Sequence, residues 1–145
     1  MGSWTDFVGD EYKSFSGTAV YTTTINKVPV ADVIKLDLGS VAENASVYLN
    51  GDYIGTVIDS PYQLYIPAEK FKGQDELVVR VANSMANRIA YMDKKGVDWK
   101  IFYNVNMSAR KKENVKNGIF DASDWEPKSS GLLGPVTLTP AMVKQ

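Results

Sequence analysis

The chain contains no cysteine and no histidine. Without thiols it forms no disulfide and offers no thiolate nucleophile or metal ligand, although this leaves the compartment open, because a good core needs no oxidising environment. Without imidazole it has no His-based triad and no general base naturally poised near neutral pH, and it loses most zinc sites. No sign of charge dominates either. Lys plus Arg is 16 against 17 for Asp plus Glu, a net charge of -1, so neither a nucleic acid nor an anionic membrane is expected as partner. No apolar run approaches the roughly 20 residues of a membrane helix, and no charged-then-apolar leader opens the chain, so the domain is expected to be soluble. Met1-Gly2-Ser3 runs at once into Trp4 and Phe7, which suggests a piece excised from a longer protein.

What is present is 145 residues at 44% hydrophobic content. That is enough for one compact domain over residues 1–145, with a core that needs no metal or disulfide staple. The dominant pattern has a period of two. In TAVYTTTI, from Thr18 to Ile25, Ala19, Tyr21, Thr23 and Ile25 share one face of a pleat. In VIKLDLG, Ile34, Leu36 and Leu38 alternate with Lys35 and Asp37, and Gly39 ends the run. VYLNGDYIG is a hairpin: Asn50-Gly51 suits a tight primed turn, with Val47 and Leu49 inward on one arm and Tyr53 to Val57 as the other. YQLYI then stops at Pro67, and PAEKFKG reads as one helical turn near 67–72, the only helix expected. ELVVRVAN is a long strand with Leu77, Val79 and Val81 on one face, and Val136-Thr137-Leu138 closes the set. Strands about 8–12 residues apart with turn signals between them predict an all-β antiparallel sandwich.

Residues 90–130 break this rhythm. They hold Tyr91, Trp99, Phe102, Tyr103, Phe120 and Trp125 among polar residues, with one strand expected at Trp99-Lys100-Ile101-Phe102. Long irregular segments in compact domains are usually functional loops, and this one is too aromatic for disorder.

FSGTAVYTTT, IKLDLG, ASVYLNGDYIGTV, SPYQLYIP, DELVVRVANSMANR and SGLLGPVTL, in that order, resemble the galactose-binding-like jelly-roll modules of glycoside hydrolases. The likeness is closest to the C-terminal module of family 106 α-L-rhamnosidases and looser to the sugar-binding domain of family 2 enzymes. It runs from about Ser14 to Pro140 and is least recognisable from Met92 to Lys128. The Asn-Gly hairpin is common to many sandwiches, whereas VANSMANR followed by SGLLGPV is much more particular. The resemblance implies a jelly-roll β-sandwich that accompanies a catalytic domain in the same parent chain and is not itself the catalyst. It also implies contact with plant or microbial polysaccharide sugars as a second role, and a parent enzyme in the periplasm or outside the cell. A free-standing sugar-binding protein and a purely structural interdomain module are the alternatives, since fold likeness does not fix function.

Each candidate site has a functional and a structural reading. Asn83, Asn87 and Arg88, placed where the long strand gives way to a loop, offer two amides and a guanidinium for sugar hydroxyls, or they cap turns and pair at the surface. Tyr91, Trp99, Tyr103 and Trp125 supply a platform for a pyranose, oriented by Asp98 and Asn104, or they roof the open end of the sandwich. Asp121, Asp124 and Glu126 in FDASDWEP suggest calcium or glycosidase carboxylates, or a solvated loop. Calcium wants six or more oxygens and hydrolysis wants two carboxyls about 5–5.5 or 6.5–9.5 Å apart, so no cofactor is expected. Arg110-Lys111-Lys112, with Glu113 and Lys116, reads as a solvated loop. In SSGLLGPV, Gly131 and Gly134 permit tight backbone geometry while Leu132 and Leu133 plug the sandwich.

Overall fold

In the computed structural model, which describes residues 1–141, the period-two segments become antiparallel strands. Contacts divide the chain into two compact units, one made of residues 1–4, 17–83 and 129 onward, the other of residues 5–16 and 84–128.

The first unit is the sandwich. One sheet has the order β1 (Thr18–Ile25), β7 (Asp75–Ala82), β4 (Asn44–Leu49), β5 (Asp52–Val57). A second has the order β11 (Thr137–Ala141), β2 (Val33–Asp37), β6 (Gln63–Pro67), and a short pair joins β10 (Gly131–Gly134) to β3 (Ser40–Ala42). All these pairings are antiparallel. Leu36, Leu38 and Ile66 from the β2 and β6 region meet Val47, Leu49, Leu77, Val79 and Val81 from the other sheet in one buried cluster. Burying each such side chain contributes about 1.5–3 kcal/mol before the entropy of ordering is subtracted. The expected inward residues are therefore the core.

Asn50 (φ 53°) and Gly51 (φ 85°) make the primed turn of the β4–β5 hairpin. Asn50 does more than turn the chain. Its amide donates to Asp75 Oδ1 at 2.7 Å, its Oδ1 accepts the Glu76 N–H at 2.9 Å, and its own N–H donates to the Glu76 carbonyl at 2.8 Å. The hairpin is thereby latched to the start of β7. Asp75, 1% exposed, also accepts the Lys72 and Gly73 amides at 2.8 and 3.0 Å. Burial pushes its pKa up, but the Asn50 side chain, the two amides and the Lys72 charge together hold it below the usual carboxylate range. A depressed folded pKa stabilises the fold above the unfolded value of about 3.9 and ceases to do so as pH falls through the folded value. Urea midpoints are thus expected to be flat above about pH 5 and to drop steeply below about pH 4, and Asp75→Asn should be less stable at pH 7 with a shallower acid drop. An unchanged acid limb in that variant would remove Asp75 from the account.

Two glycines set the corner between β3 and β10. Gly39 (φ 68°) donates its N–H to Asp37 Oδ1 at 2.8 Å, and a Cβ there would run into the Gly134 backbone and approach the Pro135 oxygen at 2.6 Å. Gly131 (φ 117°) and Gly134 (φ 73°) also occupy the region open to glycine, as SSGLLGPV implied.

Two expectations are corrected here. PAEKFKG forms only a 3-10 turn at Ala68–Lys70, and it is not the only helix: α1 spans Asp10–Lys13 and α2 spans Ala86–Lys94. α2 escaped notice because Met85 at its N-cap makes no side-chain cap hydrogen bond and its first turn holds no acid, so neither start signal is present. The closing strand also continues through Pro140, which pairs with Ile34. β11 is an edge strand, where a missing N–H is tolerated.

Candidate functional site

The second unit is built from α1, α2, 3-10 turns at Met107–Arg110 and Lys112–Asn114, and a small hairpin of β8 (Val115–Lys116) and β9 (Ile119–Phe120). Its organiser is a residue that sequence reasoning missed. Asp93, near the end of α2, has a side chain only 2% exposed. One of its oxygens accepts both the Trp99 indole N–H at 2.7 Å and the Lys100 ammonium at 2.6 Å, and the other accepts the Ala122 amide at 2.8 Å. Two stretches of irregular backbone are so tied to one helix. The strand expected at Trp99-Lys100-Ile101-Phe102 does not form, since both Trp99 and Lys100 are drawn to Asp93 and the backbone there bends.

The structure separates the amide candidates. Asn83 belongs to the sandwich, where its Oδ1 accepts the Gly17 N–H at 3.0 Å and its amide donates to Ser130 Oγ at 3.1 Å. Asn87 lies on α2, not in a loop, and is buried. Its amide donates to the Lys128 carbonyl and its Oδ1 accepts the Lys128 N–H, both at 2.8 Å. Arg88, exposed on the same helix, stacks over Tyr91 at 5.8 Å.

Of the four aromatic candidates, Tyr91 and Trp125 line one cleft of about 470 Å³. Trp125 packs edge-on against Phe120 at 5.8 Å and donates its indole N–H to Asn114 at 2.8 Å. It also borders a second hollow of about 490 Å³ with Asn114, Lys111 and Glu113. Trp99 lines a separate hollow of about 270 Å³ with Ile101, Phe102 and Asn104, while Tyr103 is 56% exposed. Asn104 does not orient a ligand in this arrangement, because its amide donates to the Gly118 carbonyl and its Oδ1 accepts the Phe120 N–H, both at 2.8 Å.

The carboxylates are also divided. Asp121 and Asp124 share Lys116, at 3.3 and 3.0 Å, and Glu126 stands exposed beside the cleft. The Ser123 hydroxyl, more than burial can offset, holds the Asp121 pKa below its ordinary range, helped by the Ser123 amide and Lys116. The bond to Asp124 raises Lys116. A glycosidase acid needs the opposite displacement, upward, to carry its proton at neutral pH. Among the described residues no group of three or more carboxylates is placed to hold a metal ion. The cleft instead offers what reversible sugar contact uses: ring surface from Tyr91 and Trp125, carboxylates of Asp10, Asp124 and Glu126 as acceptors, and ammonium groups of Lys13 and Lys94 as donors. Lys13, Lys94, Asp10 and Asn114 carried no signal that a single sequence reveals, since an isolated charge or amide reads as surface.

No protein-family model matches the chain. It is 33% identical over 153 residues to a putative beta-glucuronidase of Formosa agariphila, in an alignment covering 95% of this chain and 13% of that protein. The solved rhamnosidase of Novosphingobium sp. PP1Y superposes with a TM-score of 0.73 and 29% identity, over 94% of this chain and 12% of that one. A beta-glucuronidase of Ruminococcus gnavus superposes over 57% of this chain and 15% of its own, at 24% identity and a TM-score of 0.48. The chain thus spans only a small part of the proteins it matches, a domain-sized piece of much larger glycoside hydrolases.

Proposed function

We propose that this chain is a non-catalytic β-sandwich module of a larger glycoside hydrolase, supporting the catalytic domain of its parent and contacting sugar through the cleft beside Tyr91 and Trp125. The observation that carries this reading is the disproportion of the match, nearly all of this chain against 12% of the rhamnosidase and 13% of the putative beta-glucuronidase. The depressed Asp121 carboxyl, with no histidine to take its place, argues against proton transfer by the module itself.

A purely structural interdomain role is favoured by one further feature. Ile101, Phe102, Val105 and Met107 are 83, 76, 76 and 71% exposed along seven residues. Apolar side chains clustered in this way on a surface usually meet a partner, here the catalytic domain of the same parent. The test of the accessory role is turnover. The 145-residue chain should release no aryl alcohol from an aryl α-L-rhamnoside or an aryl β-glucuronide. Turnover that disappears in Asp121→Asn, Asp124→Asn or Glu126→Gln would make the chain an enzyme and end the proposal.

A further inference from the structure

The charges of the Tyr91–Trp125 cleft do not balance locally, and the imbalance identifies a ligand class. The lining holds three carboxylates, Asp10, Asp124 and Glu126, and two ammonium groups, Lys13 and Lys94. Taken alone, that set is acidic by one. Two of the three acids, however, are already neutralised by cations outside the lining. Asp10 pairs with Lys95 at 3.2 Å and Asp124 with Lys116 at 3.0 Å. Lys13 and Lys94 make no ion pair among the described residues, and neither does Glu126. The cleft therefore faces its occupant with two uncommitted cations against one uncommitted anion.

The other polar groups narrow the choice further. Asn87 reaches the lining but spends both ends of its amide on Lys128, and Ser123 Oγ is held by Asp121 and Lys116. Neither is left to select a neutral hydroxyl pattern. Ring surface from Tyr91 and Trp125 suits the C–H face of a pyranose, and lysine ammonium groups suit a point of negative charge carried on it.

We infer that the cleft binds a pyranose bearing an anionic group, a carboxylate or a sulfate ester, with Lys13 and Lys94 receiving the anion and Tyr91 and Trp125 the ring. This rests on the sugar-contact part of the function proposed above and adds its selectivity. No bond is made or broken. Because both lysines are solvent-exposed, the preference is electrostatically modest and weakens with salt, whose screening length falls from about 10 Å at 0.1 M to about 3 Å at 1 M.

The chain is titrated with glucuronate, glucose 6-sulfate and glucose, following tryptophan fluorescence and amide chemical shifts, at low salt and at 0.5 M salt. Both acidic sugars should bind about tenfold more tightly than glucose at low salt, with the margin shrinking at high salt. The variant Lys13→Met/Lys94→Met should lose that margin while keeping its Tm, and Lys13→Arg/Lys94→Arg should keep it. If only one acidic sugar shows the margin, the anion is assigned to that source. Glucose binding as tightly as the acidic sugars, or a margin that survives in the methionine variant, overturns the inference while leaving sugar contact in place. Absence of binding by all three overturns both, and leaves the accessory role to stand or fall on the turnover assay.

Discussion

Replacing Asp93 by alanine is expected to cost about 3–5 kcal/mol, because it strands a largely buried ammonium and two N–H donors at once. Asp93 is nearly inaccessible and holds Lys100, Trp99 and the Ala122 amide within 2.6–2.8 Å. Removing one partner of a buried pair costs more than the pair contributes, since the remaining charge keeps its desolvation penalty without its compensation. The melting temperature should fall by about 10 °C or more. Near-ultraviolet circular dichroism should lose the contribution of an immobilised Trp99. Asp93→Asn keeps the shape and some acceptor capacity but not the charge, so it should fall between wild type and alanine. A melting temperature within a degree or two of wild type for Asp93→Ala would mean that the segment 98–122 is held by something other than this side chain.

Gly39→Val should be nearly as damaging, by a different route. The residue needs a positive φ, which costs a branched side chain on the order of 1–3 kcal/mol, and its new Cβ would also meet the Gly134 backbone. Backbone cannot swing away as a flexible side chain can, so β10 has to move off β3. A total of about 4 kcal/mol is expected, at the upper end for single substitutions. Gly51→Ala separates the two causes. Gly51 has φ 85° but nothing within 4 Å of the place where a methyl group would stand, so strain acts there alone and about 1–2 kcal/mol should be lost. Equal losses at the two positions would remove the steric part of the argument.

The sandwich was readable because burial on one face imposes a period of two on each strand. Ile34 and Leu36, Val47 and Leu49, and Leu77, Val79 and Val81 each mark a core-facing row, and all are buried in the structure. The second unit offered no such rule. The residues ANRIAYMDK of α2 begin with a turn former and lack a cap, so their helical state is decided by what they pack against and not by local preference. WKIF has the alternation of a strand, yet its first two side chains answer to Asp93 at six and seven residues' distance. The candidate site was legible in part for the same reason. Tyr91 and Trp125 stand out in any sequence as large rings among polar residues, whereas the worth of Lys13 and Lys94 depends on which acids other lysines have already claimed. That is a matter of three-dimensional pairing, which spacing along the chain does not encode.

One seam of the sandwich carries a consequence for how such a molecule can change over time. Ser3 Oγ donates to the Ser130 carbonyl at 3.1 Å and accepts the Ser130 N–H at 2.8 Å, the Trp4 N–H reaches that carbonyl at 3.0 Å, and Asn83 bridges Gly17 to Ser130. Every place where the polypeptide departs from the strands and rejoins them is thereby stitched together within the strands' own unit. Segments 5–16 and 84–128 behave as excursions from a closed frame, free to be lengthened, trimmed or exchanged without shifting a single strand pairing, so the contents of the cleft can diversify while the frame is inherited intact.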